Sequence, residues 1–251
     1  MSDGIVESTA SLAETDRRGA VTTIIVGEGA GTKAVIDDTG GVVAGALPGP
    51  LAASITKDAL ALMSRERSVT LSYADTEVFF EVMSPRPSLF VFGAVHIAQE
   101  LVQHAVLLGF KTIVADPRPA FLTPERFPEA DELRVGWPGD VCDVDSFDDR
   151  SFIVVLSHDR RFEDPLWPIV LPSAARYIGA MGSRGTTGKR AERLLADGFS
   201  DEDIARIHGP IGLDIGSRSA GETAVAILGE MISQRYLHDE TVELVGAPVL
   251  L

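Results

Sequence analysis

The chain has 251 residues, 37 acidic against 22 basic, and a net charge of −15 at neutral pH, a field that repels nucleic acid and anionic membrane surfaces. Its single cysteine, Cys142, excludes an internal disulfide framework and a cysteine-rich metal cluster and fits a reducing cytoplasm. No uninterrupted apolar run of about 18 residues is present to insert into a membrane, and the polar, acidic start lacks the basic lead and apolar middle of a secretory signal, so the expectation is a soluble cytoplasmic protein.

Residues 1–19 carry little apolar periodicity and read as a polar lead-in. Short β-branched runs at 21–26, 34–36, 42–44, 69–73 and 77–82, bounded by glycine or acidic turns, predict strands. A helix over 51–63 interrupts them, with Pro50 just before its start. Residues 84–88, Ser-Pro-Arg-Pro-Ser, restrict the backbone and remove two donors. They set a boundary between an N-terminal α+β domain, 1–84, and a second domain, 85–251.

The second domain opens with a complete β-α-β pattern. An apolar run at 89–92 meets a turn at Gly93. Ile97, Leu101, Ala105 and Leu108 recur at helical spacing until Gly109 ends the helix, and a second apolar run, 112–115, leads to Asp116. That spacing is the dinucleotide-binding one, in which an acid about 20 residues past the glycine turn bonds a ribose hydroxyl. The glycines are less regular. GxGxxG becomes Gly93-Ala94-Val95-His96-Ile97-Ala98, and Val95 stands where the backbone would approach a pyrophosphate. A Rossmann unit that binds no dinucleotide is the competing reading. If a dinucleotide binds, Asp116 suits a free 2′-hydroxyl, so NAD is expected over NADP.

Further strands are expected at 133–135, 152–156 and 177–178, and helices at 188–195, after Ser200, and after Ser219, which with Glu222 forms a capping box. The unbroken apolar run at 152–156 reads as a buried parallel strand and delivers Ser157-His158-Asp159 to its carboxyl end, where open α/β sheets bind ligands. His158 and Asp159 are candidates for a general base or for metal ligands; a hydrogen-bonding loop histidine is the alternative. His96, His104, His158, His208 and His238 show no HxxxH or HxH spacing, so no metal site is expected. Cys142 lies among acids at 140–145, which should raise its thiol pKa.

The segment 182–190, GSRGTTGKR, fails the phosphate-loop pattern because Ser183 and Arg190 stand where glycine and a hydroxyl residue are needed. Small residues at a helix start, with Arg184, Lys189 and Arg190, still suit a looser anion site; a basic, solvated helix start is the alternative. Residues 210–216 place Asp214 between two glycines, in a loop near a ligand or in a capped turn.

Taken together, several segments resemble the XdhC/CoxI family of accessory factors of molybdenum hydroxylases. They are Gly93-Ala94-Val95-His96-Ile97-Ala98, Asp116-Pro117-Arg118 with Arg126-Phe127-Pro128, Ser157-His158-Asp159, Tyr177-Ile178-Gly179-Ala180-Met181-Gly182-Ser183-Arg184, and residues 210–216. The resemblance implies an α/β protein: a small N-terminal α+β domain followed by a C-terminal Rossmann-like parallel-sheet domain. It implies a non-enzymatic chaperone that binds the molybdenum cofactor (molybdopterin), assists its maturation, and delivers it to a molybdenum hydroxylase apoenzyme of the xanthine or carbon monoxide dehydrogenase type. The cofactor residues so expected are Gly93, Ala94, Val95, His96, Asp116, Arg118, His158, Gly179, Gly182, Ser183, Arg184, Lys189 and Asp214. The family commonly has a cysteine in its N-terminal domain, and Leu51 replaces it here, with Ala53 in place of a following acid, which removes soft thiolate ligation at that position. An NAD(P)-dependent oxidoreductase and a regulatory nucleotide-binding module remain the alternatives, and a homo-oligomer is left open.

Overall fold

A computed structural model describes residues 3–157, 159–236 and 243–249. The two-proline stretch ends one unit, Met1–Pro85 together with Tyr236–Leu251, and begins the other, Arg86–Arg235.

The first unit runs α1 (Asp3–Glu14), β1 (Gly19–Val26), β2 (Lys33–Asp37), β3 (Val42–Gly45), α2 (Ala52–Ser64), β4 (Val69–Tyr73) and β5 (Thr76–Met83). Because side chains alternate along a strand, β1 sends Ala20 and Ile24 to one face, against Ile55, Ala59 and Leu62 of α2. Val21 goes to the other face, with Val35 and Leu12 of α1. The polar lead-in expected over residues 1–19 is thus corrected. A helix carrying Ile5 and Leu12 covers that face, and it escapes a periodicity test because Ser8 and Thr9 occupy two of its four inward positions, 5, 8, 9 and 12.

The second unit continues with β6 (Ser88–Phe92), α3 (His96–Leu107), β7 (Lys111–Asp116), β8 (Glu132–Val135), α4 (Pro138–Val141), β9 (Ser151–Val155), α5 (Arg160–Glu163), α6 (Trp167–Val170), β10 (Tyr177–Ala180), α7 (Arg184–Ala196), α8 (Asp201–Ala205), β11 (Ile207–His208) and α9 (Ala220–Tyr236). A last short strand, β12 (Ala247–Pro248), pairs antiparallel with β4 of the first unit, giving that sheet the order β12-β4-β5-β1-β2-β3. The buried carboxylate of Asp58 explains the return. It accepts the Tyr73 hydroxyl at 2.6 Å and the backbone N–H groups of Val245 and Gly246 at 2.7 and 2.8 Å. The end of the chain therefore departs from the expected 85–251 span.

The sheet of the second unit has the order β11-β10-β9-β6-β7-β8, and every pairing is parallel. Read from the β8 edge, this is the 3-2-1-4-5-6 order of a doubly wound fold, with its switch point between β6 and β9. Both faces are covered, which is why its strands read as unbroken apolar runs. Leu89 and Val91 pack beneath α3 and α9, with Leu101, Ala105, Ile227 and Met231, while Phe90 and Phe92 pack with Phe162, Trp167 and Leu194. One buried ion pair crosses this second layer. Arg190 Nε lies 2.6 Å from Glu163 Oε1, both side chains are almost fully enclosed, Arg190 also donates to the Met181 carbonyl at 2.8 Å, and its guanidinium lies over Trp167. Arg190 is therefore not a ligand-facing charge of the 182–190 segment. The helix expected over 188–195 starts earlier, at Arg184, because Ser183 caps it by accepting the Thr186 N–H.

Candidate functional site

The carboxyl ends of the parallel strands carry nearly all the residues singled out from the sequence, gathered into two clusters. The first surrounds the switch point. Gly93 has φ +114°, and a Cβ there would meet the backbone of Leu156 and Ser157 at 3.1–3.3 Å, so the turn after β6 needs glycine to pass the end of β9. Val95 is the N-cap of α3, and His96 begins the helix, exposed, with Nδ1 3.3 Å from Gln99 Oε1. A cavity of about 360 Å³ opens here, lined by Val95, Asp116, Arg118, Trp137, Ser157 and Arg161 among others.

Asp116, at the end of β7, is only 1% exposed. Its Oδ1 accepts the backbone N–H and the Nε–H of Arg118, both at 2.9 Å, and its Oδ2 accepts the Ala94 N–H and Arg118 Nη2, both at 2.8 Å. Burial pushes its carboxyl up, but the Arg118 and Ala94 hydrogen bonds outweigh that and hold it below the usual carboxylate range. A carboxylate offers about four lone-pair sites, and here four donors fill them. The role expected for Asp116, bonding a ribose hydroxyl, is therefore corrected: the carboxylate locks the Gly93 turn to β7. Arg126 of the neighbouring motif serves the same loop, donating to the carbonyls of Phe121 and Ala94.

Arg118, half exposed at the cavity, lies over the Phe121 ring at 4.4 Å. On the other side, Asp159 caps α5. It accepts the Arg161 N–H at 3.0 Å, Nε at 3.1 Å and Nη2 at 2.7 Å. Those bonds hold its carboxyl below the usual range. His158 lies outside the described residues. Arg161 and Trp137 were missed by the sequence reading. Arg161 could have been found from the Asp159 cap two residues before it.

The second cluster follows β10. Gly179 faces Ile211 so closely that a Cβ would sit 2.5 Å from its Cδ1, so this glycine admits the 210–216 loop. Gly182 has φ +149°, Ser183 caps α7, and Arg184 Nη2 lies 3.8 Å from Asp214 Oδ2, both side chains about nine-tenths exposed. Lys189 is exposed on the second turn of α7, away from the helix start. The loop is held by Glu230, whose Oε2 accepts the Gly212 N–H at 2.8 Å and the Tyr177 hydroxyl, with His208 beside it.

Cys142 is half-buried, and burial, with Asp143 a smaller contributor, pushes its thiol up to about 11. The expected direction holds, but desolvation is the main cause. In the first unit a larger cavity, about 670 Å³, is lined by residues 46–51, Ile24, Tyr73, Glu28 and Asp75 among others. Leu51, in place of the family cysteine, is part of that lining.

A fully parallel sheet in this order, with a glycine turn after its first strand, defines a Rossmann-type α/β domain. The model of the XdhC Rossmann domain matches residues 89–231, more than half of the chain, and the protein belongs to that family. It is 31% identical over 160 residues to a Bacillus subtilis protein named as a probable xanthine dehydrogenase subunit, covering 64% of this chain and 46% of that one. It is 32% identical over 93 residues to the Escherichia coli molybdenum cofactor insertion chaperone PaoD, covering 37% and 29% of the two chains. Both matches span less than half of the relative's length. A solved structure titled as a xanthine dehydrogenase from Bacillus halodurans shares the fold, with a TM-score of 0.56 at 20% identity, covering 91% of this chain and 95% of that one. Among the described residues no helix is long and apolar enough to cross a membrane.

Proposed function

We propose that this protein is a cytoplasmic accessory factor that binds the molybdenum cofactor and assists its insertion into a molybdenum hydroxylase apoenzyme of the xanthine dehydrogenase type. The observation that carries the reading is the placement of the family motifs. The turns at Gly93 and Gly182, Arg118, Arg184 and Asp214 all lie along the carboxyl edge of one parallel sheet, where such folds hold phosphate-bearing ligands. The names of the Bacillus and Escherichia relatives support the same role.

The residues fit one part of that cofactor and not the other. Its organic part carries an anionic phosphate, and the guanidiniums of Arg118 and Arg161 at the cavity suit it. For the metal, the described residues offer no matching donor set. Leu51 offers no thiolate, the Cys142 thiol stays protonated, and among the described residues no three His, Cys, Asp or Glu side chains are grouped to hold an ion. The contacts within reach of this chain's described residues are thus with the phosphate of the pterin. The decisive experiment mixes cofactor with cofactor-free hydroxylase in the presence and absence of this protein, while mass spectrometry identifies the ligand released from the purified protein. A recovered pterin and faster activation are expected. A recovered dinucleotide with no change in activation would overturn the reading.

A further inference from the structure

The switch-point cavity presents donors, and most acceptor sites of its two carboxylates are already taken. Asp116 accepts four hydrogen bonds and Asp159 accepts three, all from Arg161. A free ribose diol, which must donate to a carboxylate at the end of the second strand, finds no open acceptor on Asp116. The guanidiniums keep spare N–H groups. Arg118 uses Nε and Nη2 on Asp116, and Arg161 uses Nε and Nη2 on Asp159. Among the described residues no partner takes the Nη1 group of either. Trp137, part of the same lining, is 44% exposed and gives a heterocycle an aromatic face.

We infer that the end of β7 is a phosphomonoester site, in which Arg118 and Arg161 bind the phosphate, Trp137 packs on an attached heterocycle, and Asp116 acts as a positioning residue that aims Arg118. The recognised chemistry is a terminal phosphate on a heterocyclic molecule, whether the 2′-phosphate of an NADP-type nucleotide or the phosphate of a pterin. Where the phosphate is the 2′-phosphate of a nucleotide, the order is NADP over NAD, the opposite of that expected from Asp116. The two carboxylates balance the two guanidiniums in charge, so affinity comes from directed N–H groups and not from net charge. This specificity does not depend on the accessory role, because it concerns binding alone and holds whether or not an apoenzyme is activated.

Calorimetric titration of the full chain with 2′,5′-ADP, NAD, hydroxymethylpterin monophosphate and inorganic phosphate tests it. At least one of the two phosphomonoesters should bind about tenfold or more tighter than NAD and than inorganic phosphate, and the tighter of the two identifies the source. Arg161 is exposed, so Arg161→Ala should leave folding intact and weaken that ligand by about tenfold, the loss expected of one charge-assisted hydrogen bond. Arg118→Gln should do the same, with circular dichroism confirming the fold. NAD binding as tightly as both phosphomonoesters, inorganic phosphate matching them, no binding by either, or unchanged affinity in both folded variants would each overturn the assignment.

Discussion

The two clusters along the carboxyl edge use the same residue types to opposite effect. Around β6 and β7 an aspartate and an arginine form a bidentate pair, with the carboxylate buried and tied to the Gly93 turn. After β10 an arginine and an aspartate face each other at 3.8 Å with both side chains almost wholly in solvent. In the first arrangement the backbone supplies part of the bonding and fixes the arginine's direction. In the second each side chain must lose rotamer freedom for a screened attraction, so the pair fixes little. Burial of one partner separates a preorganised site from a loose rim.

The contrast predicts a ranked set of losses. The largest should come from the ion pair beneath the loose rim. Glu163→Ala would leave Arg190 buried without its carboxylate and should cost about 3–5 kcal/mol in urea unfolding; a loss below about 1 kcal/mol would mean that α7 needs no such anchor. Next, Asp116→Ala removes the lock on the Gly93 turn and should cost about 1.5–3 kcal/mol, the worth of a hydrogen bond to a charged group. That contribution has a pH signature. A carboxyl held lower in the folded chain than in the unfolded one binds fewer protons when folded, so its stabilisation is complete above the unfolded value near ~4 and drains away as pH falls through the folded value. The stability difference between wild type and Asp116→Asn should therefore shrink on acidification below about pH 4, and a difference independent of pH would break the account. The smallest effect belongs to the exposed pair: Arg184→Ala, Asp214→Ala and the double variant should each stay within about 0.5 kcal/mol, with no measurable coupling in a double-mutant cycle.

Much of the Rossmann unit was legible in the sequence, because its strands are buried on both faces and its turns are marked by glycine. Gly93, the α3 periodicity and the apolar run at 152–156 each state their role in residue type and spacing. What escaped was a matter of partners. Residue 116 is acidic at the right place, yet only the fold shows that Arg118 and the Ala94 N–H consume it. Arg190 looks like a ligand-facing charge until Glu163, 27 positions away, is seen to enclose it. α1 escaped for another reason: Ser8 and Thr9 share its covered side with Ile5 and Leu12, so its apolar pattern is interrupted, and its place is decided by the sheet face it covers.

The hydrogen bonds from Val245 and Gly246 to Asp58 carry a consequence for chain connectivity. The first unit is assembled from both ends of the polypeptide, while the Rossmann unit is one uninterrupted stretch inserted between them. The inserted segment can be excised whole without removing any of its own strands. The unit around it cannot, because a fragment ending before residue 243 strips Asp58 of two of its three donors and leaves a buried carboxylate held by Tyr73 alone.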